Sequence, residues 1–320
     1  MTSEPCVVGK SPPRLDGVAK ATGEAKYGAD IHLPGMLVGK ILRSPHPHAR
    51  IVSIDTRRAR ELPGVETVVT AQDTPGVRIG RVVKERHVIA LDKVRHVGEA
   101  VAAVAAVDEE TAEEALELIQ VQYEELPAVF DPHEAMEPTA SLVHEELASY
   151  AASPPLQRQG NILHQIPTLK GDVEAAWAEC DLIHEDNYST QFAHPGFIQT
   201  HEATAAVDSS GKITLWSSTK APFIVRDMVA EALGIPMSRI RVIAATVGGD
   251  FGGKGTAIIE PICVLLALKS GRPVRLALSR EEEFLGAFVR SRMYLHLKAG
   301  ARKDGTLVAL QGRIVADTGA

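Results

Sequence analysis

The chain has 320 residues, of which 45% are hydrophobic and 23% are charged. These proportions are those of an ordinary globular protein, and the length allows about two domains. Lysine and arginine number 34 against 41 aspartates and glutamates, which gives a net charge of −7. Without a basic excess, nucleic-acid binding through phosphate contacts is disfavoured. Because we find neither a signal segment nor an apolar run of roughly 20 residues, we expect no membrane span.

Three cysteines, Cys6, Cys180 and Cys263, are widely spaced and form no C-x-x-C pair. This spacing argues against a disulfide framework. It also means that the chain alone does not supply the thiolates of a zinc or iron–sulfur site. We therefore expect a protein of the reducing cytoplasm.

The first third of the chain predicts a small α/β unit. Short strands are expected at residues 35–41 and 50–55, and residues 97–107 form an apolar run of strand length. Asp108 then stands as the N-cap of a helix at residues 109–120, which carries alanine, leucine and isoleucine on one face. This order of elements is typical of a compact domain with a buried central strand.

Residues 133–160 are rich in proline and polar residues and lack a helical or strand period, which predicts a linker between residues 1–132 and 161–320. In the second part, the patterns predict helices at residues 172–179, 222–233 and 258–268, and strands at residues 181–190, 203–207, 212–217, 239–247, 274–278 and 307–316. Gly234 is expected to end the second of these helices. A turn at Lys303, Asp304 and Gly305 predicts a hairpin that leads into the last of these strands, and no further partner for that strand is evident.

A glycine-rich loop lies between a predicted strand and the apolar helix at 258–268. From Val247 to Thr256 it reads VGGDFGGKGT. Such a loop turns several backbone N–H groups toward one point, which suits phosphate or other anionic oxygens. The phosphate-loop pattern of nucleotide hydrolases is incomplete here, because Gly255 stands where serine or threonine should hold magnesium. On this pattern alone, two interpretations of the segment stay open: a turn without function, and a phosphate loop.

Residues 242–255 resemble the GGGFGGK loop of the molybdenum hydroxylases, the family of xanthine dehydrogenase and aldehyde oxidase. The flanking segments WSSTKAPF, LGIP, GRPV and SREE also match that family, at residues 216–223, 233–236, 271–274 and 279–282. Residues 14–51 and 93–106 resemble its hammerhead domain, and bacterial 4-hydroxybenzoyl-CoA reductase and nicotinate dehydrogenase come nearest. The resemblance implies an α+β protein, with a hammerhead-like α/β domain followed by the first part of a molybdopterin-binding α+β domain.

The resemblance also implies a molybdenum–molybdopterin cofactor, with the cytosine dinucleotide form as one option. By position, the cofactor contacts fall on Gly249, Asp250, Phe251 and Gly252. The implied reaction hydroxylates an aromatic, N-heterocyclic or aldehyde substrate with an oxygen taken from water. Electrons would leave through iron–sulfur clusters and FAD, which we expect on an iron–sulfur subunit and an FAD subunit. No metal ligand is assigned in this chain.

Three residues depart from the family pattern. Asp250 replaces the third glycine of the loop, and Gly255 stands where xanthine-oxidising members carry a substrate-binding glutamate, which makes a purine substrate less expected. Lys220 replaces the glutamine whose amide points toward a molybdenum oxo group in the family. Two interpretations of Lys220 stay open: a donor to the cofactor, since an ammonium also donates hydrogen bonds, or a solvated side chain.

The histidines are interpreted as structural first. His46 and His48 fall in the hammerhead-like part, away from the expected chemistry. His194 and His201 flank Gln199, which occupies a position where the family usually has glutamate. We expect these two histidines to support the site or the fold, since a single histidine is usually satisfied by local hydrogen bonds.

Three consecutive glutamates, Glu281, Glu282 and Glu283, follow a predicted strand. A pair of carboxylates can perform acid–base catalysis, but acidic residues also suit the positive end of a helix. We favour the start of a helix.

The family's large subunits are much longer than this chain, and their catalytic glutamate lies near the C-terminus. No segment here resembles that region, so the general base is expected on a second molybdopterin-binding polypeptide. We therefore expect the isolated chain to self-associate and to lack molybdenum and activity. The two alternatives are a nucleotide hydrolase with a phosphate loop and a truncated, non-catalytic relative.

Overall fold

The computed structural model describes residues 7–319, and its largest element is a mixed β-sheet. The strands of the protein are β1 (Leu37–Arg43), β2 (Ala49–Asp55), β3 (Val65–Thr70), β4 (Lys93–Val94), β5 (Ala100–Ala106), β6 (Gln120–Glu125), β7 (Leu182–Ser189), β8 (Glu202–Val207), β9 (Ile213–Ser217), β10 (Ile240–Ala244), β11 (Val274–Ala277), β12 (Arg292–Ala301) and β13 (Leu307–Asp317). The helices are α1 (Gly17–Thr22), α2 (Arg57–Glu61), α3 (Glu109–Leu118), α4 (Pro132–Ala135), α5 (Val173–Trp177), α6 (Pro222–Leu233), α7 (Glu260–Ser270) and α8 (Arg280–Gly286). None of the helices in the described part is long and apolar enough to cross a membrane.

The large sheet joins strands from the first third of the chain with strands from its second half. Its order is β10-β9-β8-β11-β1-β5-β3, and the parallel pairing of β1 with β11 brings Leu37 opposite Val274. Gly39 is required at this junction, because a Cβ there would lie 3.1 Å from Cγ1 of Val274 and 3.3 Å from Cδ1 of Leu266. Early and late segments of the sequence therefore share one sheet and one hydrophobic core.

Strand β5, which lies between β1 and β3, explains the run of small apolar residues in the first third. Its side chains from Val101 to Ala106 are buried, because helices α3 and α7 pack on the sheet. Asp108 caps α3 as predicted, with its carboxylate accepting the N–H of Thr111 at 2.8 Å. A strand that is covered on both faces is apolar throughout, whereas a strand with one exposed face alternates apolar and polar residues.

Helix α7 is buried along most of its length, as its composition predicts, but it begins at Glu260 rather than at residue 258. The Glu260 carboxylate folds back and accepts the N–H of Ile258 at 2.8 Å, which satisfies a free donor at the helix start. Its other oxygen accepts the hydroxyl of Ser217 at 2.6 Å. This buried carboxylate therefore ties the start of α7 to the end of β9.

A separate three-stranded sheet, in the order β13-β12-β7, ends the described chain. Strand β13 pairs with β12 in a hairpin that the turn at Lys303, Asp304 and Gly305 predicts, and Ile314 lies opposite Leu295. Helix α5 packs against one face of this sheet. On the opposite face, leucine, isoleucine and tyrosine side chains are exposed: Leu182, Tyr188, Leu310 and Ile314.

Residues 133–160 are irregular but held in place by specific contacts. The side chain of Asn161 donates to the carbonyls of Ala135 and Ser141 at 3.1 and 3.0 Å, and it accepts the N–H of Val143 at 2.9 Å. Three backbone groups of this segment thus pair with one side chain, and others form short turns rather than a long helix or a strand ladder, which explains the missing period. The domain boundary within this segment stays a prediction.

Candidate functional site

The glycine-rich loop lies between the end of β10 and the start of α7. Gly249, Phe251 and Gly252 have φ angles of +101°, +45° and +104°. Among residues 7–319, Phe251 is the one residue other than glycine with a positive φ, and its side chain is 77% exposed. Left-handed backbone in a bulky residue costs free energy and concentrates at functional sites.

This backbone leaves N–H donors available. No hydrogen bond within the described residues uses the N–H groups of Gly249, Asp250 or Phe251, although Gly248 and Gly253 on either side are hydrogen-bonded. A Cβ added to Gly252 would meet nothing within 4 Å, so the loop faces open space there. Free N–H groups on successive residues with left-handed segments form the type of concavity that binds anions.

Gln199 holds both ends of the loop. Its Oε1 accepts the N–H of Gly248 at 2.7 Å, and its backbone carbonyl accepts Nζ of Lys254 at 2.7 Å. The same Oε1 lies 3.2 Å from that ammonium. A single side chain and its own backbone therefore fix the spacing between the first glycine and the lysine of the motif.

Phe197 forms the floor of the loop and explains two of the glycines. The ring is 1% exposed, and a Cβ on Gly249 or Gly253 would lie 2.8 or 2.6 Å from its atoms. Nζ of Lys254 lies 4.6 Å from the ring centroid, which is a cation–π distance. Burial of the Lys254 side chain lowers its pKa to about 8.

A buried acid–histidine pair lies beneath this floor. Glu283 is completely buried, and its Oε1 lies 2.8 Å from Nδ1 of His201. Nε2 of His194 lies 3.6 Å from the same oxygen. Burial opposes ionisation of Glu283, but hydrogen bonds from His201 and its charge hold the pKa of the carboxyl below its usual value. The cluster supports the segment that carries Phe197 and Gln199.

The two departures at positions 220 and 250 contact each other. Nζ of Lys220 lies 2.6 Å from Oδ2 of Asp250, whose Oδ1 accepts the N–H of Lys254. Partial burial opposes ionisation of Asp250, but the hydrogen bond from Lys220 holds the pKa of this carboxyl below its usual value. The stem of Lys220 passes over Gly255, where a Cβ would lie 3.1 Å from Cε.

The structure brings the residues predicted for cofactor contact, Lys220 and 249–252, into one place. His48 is elsewhere, with Nδ1 2.7 Å from the carbonyl of Pro127 in the hammerhead-like part. Glu281 and Glu282 begin α8 as expected, whereas Glu283 turns inward.

Sequence reasoning missed the roles of Gln199, Phe197 and Glu283, because their partners are distant in sequence. No group of three or more histidine, cysteine or acidic side chains within residues 7–319 is arranged to hold a metal ion.

Comparisons with known proteins agree with this architecture. A model of the molybdopterin cofactor-binding domain matches residues 155–320, and a model of the a/b hammerhead domain of aldehyde oxidase and xanthine dehydrogenase matches residues 22–127. A probable xanthine dehydrogenase subunit of Bacillus subtilis is 42% identical over 308 residues, 96% of this chain and 40% of that protein. The nicotinate dehydrogenase large molybdopterin subunit of Eubacterium barkeri is 38% identical over 98% of this chain and 71% of its own.

Solved structures show the same fold. Quinoline 2-oxidoreductase from Pseudomonas putida 86 superposes with a TM-score of 0.84 at 33% identity, over 97% of this chain and 39% of that chain. This chain thus spans about two fifths of several relatives it matches. The phosphate-loop interpretation fails, because α7 begins only at Glu260, well after Lys254, and leaves no helix N-terminus at the loop. The α+β prediction is confirmed, and the chain belongs to the aldehyde oxidase and xanthine dehydrogenase family of molybdopterin-binding proteins.

Proposed function

We propose that this chain forms the molybdopterin-binding part of a molybdenum hydroxylase large subunit. The observation that carries the proposal is the glycine loop, whose N–H groups at Gly249, Asp250 and Phe251 have no partner within the described residues and which borders open space at Gly252, near the ammonium of Lys220. The substrate is an aromatic, N-heterocyclic or aldehyde compound, and the inserted oxygen comes from water. The names of the relatives support this class of reaction without selecting one substrate.

The residues present fit the cofactor. A molybdopterin carries phosphate and oxo oxygens, and the loop offers hydrogen-bond donors to such acceptors. Besides the N–H groups of Gly249, Asp250 and Phe251, the buried hydroxyl of Thr256 has no hydrogen-bond partner within the described residues. The Asp250 carboxylate, which would oppose an anionic ligand, is paired with the ammonium of Lys220. Donors in excess of acceptors favour an anionic ligand.

When bound, the molybdenum cofactor supplies the two-electron redox chemistry of the hydroxylation. The chain's own contribution is binding and orientation. The N–H groups of Gly249, Asp250 and Phe251 hold oxygens of the cofactor beside Gly252, Gln199 and Phe197 keep the loop in shape, and the ammonium of Lys220 donates toward an oxygen at the mouth of the loop. Donors fixed in advance stabilise developing negative charge without reorganising during the reaction.

Other parts of the enzyme belong to partner chains under this proposal. We place iron–sulfur clusters on one subunit and FAD on another, and we place the general base on a second molybdopterin-binding polypeptide. The cytosine dinucleotide form of the cofactor and a cytoplasmic location complete the proposal. Cys180 and Cys263 are both free thiols, which suits a reducing compartment.

The exposed face of the sheet β13-β12-β7 is the surface that we assign to the second polypeptide. Leu310 and Ile314 are 70% and 59% exposed on this face, and β13 has no strand on its outer edge within the described residues. An exposed apolar edge strand tends to aggregate unless another chain covers it. Expression of the chain alone is expected to give self-associated protein without molybdenum, and co-expression with the second polypeptide is expected to correct both properties.

The test of the proposed function is cofactor content in Gly252→Val. A branched side chain at φ +104° is strained and enters the open space where the cofactor would lie, so molybdenum and pterin should be lost. Gly305→Val is the matched control, because Gly305 also has a positive φ of +89° and open space around its Cβ position, but lies in the β12–β13 hairpin. Equal cofactor content in the two variants would contradict the proposal. Absence of molybdenum from the wild type with all partners would favour a non-catalytic chain.

A further inference from the structure

Three residues that depart from the family pattern form one continuous contact. The stem of Lys220 lies over Gly255, and its ammonium reaches the carboxylate of Asp250 at a distance of 2.6 Å. In sequence, Lys220 is separated from Asp250 and Gly255 by helix α6 and strand β10. Lys220 therefore links the other two positions, since its stem lies against Gly255 and its ammonium contacts Asp250.

Asp250 occupies the inside of the loop as an internal anion. One carboxylate oxygen accepts the N–H of Lys254, and the other accepts the ammonium of Lys220. The side chain of Asp250 is 18% exposed, so an unpaired charge there would be costly. Lys220 supplies the compensating charge at a place where a neutral glutamine could not.

Gly255 leaves the room that this pairing needs. A Cβ at this position would lie 3.1 Å from Cε of Lys220, which is tighter than ordinary van der Waals contact. The Lys220 backbone is fixed at the same place, since its N–H donates to the carbonyl of Lys254 at 3.2 Å. A glutamate at position 255 would displace the lysine stem and compete with Asp250 for the ammonium.

We propose that Asp250, Lys220 and Gly255 act as one positioning unit that fixes the Lys220 ammonium as a hydrogen-bond donor at the mouth of the glycine loop. An ammonium has three N–H donors, and Asp250 occupies one direction, so the others can reach a further acceptor. The side chain of Lys220 is 51% exposed, which leaves it accessible. Its acceptor is an anionic or oxo oxygen, provided either by the cofactor or by the substrate. Asp250 and Gly255 are positioning residues, and the inference rests on the proposed function.

The test is a double-mutant cycle of Lys220→Gln and Asp250→Gly, measured on the natural protein with its partner chains. Each single variant breaks the pair, whereas the double variant returns both positions to the family pattern. We expect each single variant to lose molybdenum if the acceptor belongs to the cofactor, or to show a raised KM if it belongs to the substrate, and the double variant to recover the affected quantity. The melting-temperature losses of the single variants should together exceed the loss of the double variant by roughly 2 °C. Lys170→Gln, at an exposed lysine in the segment before α5, is the control.

The outcomes separate the possibilities. If the acceptor belongs to the cofactor, Lys220→Gln lowers molybdenum content, whereas a substrate acceptor raises KM at full molybdenum content. Additive losses in both molybdenum content and melting temperature would overturn the positioning unit. If the wild type holds no molybdenum, the proposed function fails, and the melting-temperature cycle still decides whether the three residues act together.

Discussion

Oε2 of Glu283 accepts the backbone N–H of His201 at 2.7 Å, and Oε1 of the same carboxylate lies 2.8 Å from the imidazole Nδ1. The carbonyl of His201 in turn accepts the N–H of Leu278 at 3.0 Å. The start of helix α8 is therefore fixed to strands β8 and β11 through one residue. Because Phe197 and Gln199 immediately precede His201, this junction also holds the floor beneath the glycine loop.

Glu283→Gln should destabilise the protein, since it replaces an ionised acceptor that satisfies two donors. Leaving a buried hydrogen-bond donor without its acceptor costs about 1–3 kcal/mol, and the lower end is expected because glutamine keeps one acceptor. The folded-state pKa of Glu283 is lowered, so its contribution is present above about pH 4.3 and is lost as the pH falls further. Melting temperatures of wild type and variant between neutral and acid pH measure both effects. Glu281→Gln, on the exposed side of α8, is the control and should change little.

Lys254→Met should weaken the loop while keeping the stem over Phe197. The carbonyl of Gln199 loses its donor at 2.7 Å, which should cost about 1–3 kcal/mol of unfolding free energy. The pH dependence of the stability difference identifies Lys254 as the titrating group, because burial lowers its pKa to about 8 in the folded state. Between pH 8 and the ordinary lysine pKa of about 10.4, the unfolded chain binds more protons, so wild-type stability rises relative to the variant. A pH-independent difference would contradict the assignment, and Lys170→Met should show no such rise.

Gln199→Leu should release the Gly248 end of the glycine loop and weaken the Lys254 end, where the backbone carbonyl of residue 199 still accepts the ammonium. It removes the acceptor for the N–H of Gly248 and for the side-chain contact with Lys254, at a cost of about 1–3 kcal/mol. Hydrogen exchange of residues 245–256, followed by mass spectrometry, should accelerate. Gln199→Glu keeps an acceptor but places a second carboxylate beside Glu202, whose Oε2 lies 3.0 Å from Nε2 of Gln199. Its exchange should be intermediate, and unchanged exchange in the leucine variant would show that the loop is held by other contacts.

Leu310→Lys combined with Ile314→Lys should make the isolated chain less prone to self-association. Both side chains project from the open face of β13, so two charges there oppose edge-to-edge and face-to-face contact. The same double variant should bind the second polypeptide more weakly. Size-exclusion chromatography and co-purification measure the two effects. Ile166→Lys with Leu169→Lys, at exposed apolar residues outside this sheet, provides the matched comparison. Equal assembly in both double variants would exclude this face as the partner surface.

The sequence alone determined the local structure. Asp108 at the N-cap of α3 and Gly234 at the C-terminus of α6 act within a few residues of their partners, so their patterns are readable from spacing. The glycine loop was equally visible, because a concentration of residues that tolerate left-handed backbone is a local property. Resemblance to the family then placed the cofactor contacts on this loop.

Only the tertiary structure decided what surrounds the loop. Lys220 and Asp250 each looked like an isolated departure from the family pattern, and Glu283 looked like a helix-start residue beside Glu281. Their partners lie 30 to 82 positions away, and no periodicity encodes such pairings. They arise because β8 pairs with β11 and β9 with β10 in one sheet, which brings distant segments together when they bury a common core. Because a buried polar group without a hydrogen-bond partner costs free energy, each of these side chains is paired with a group that the fold brings close to it.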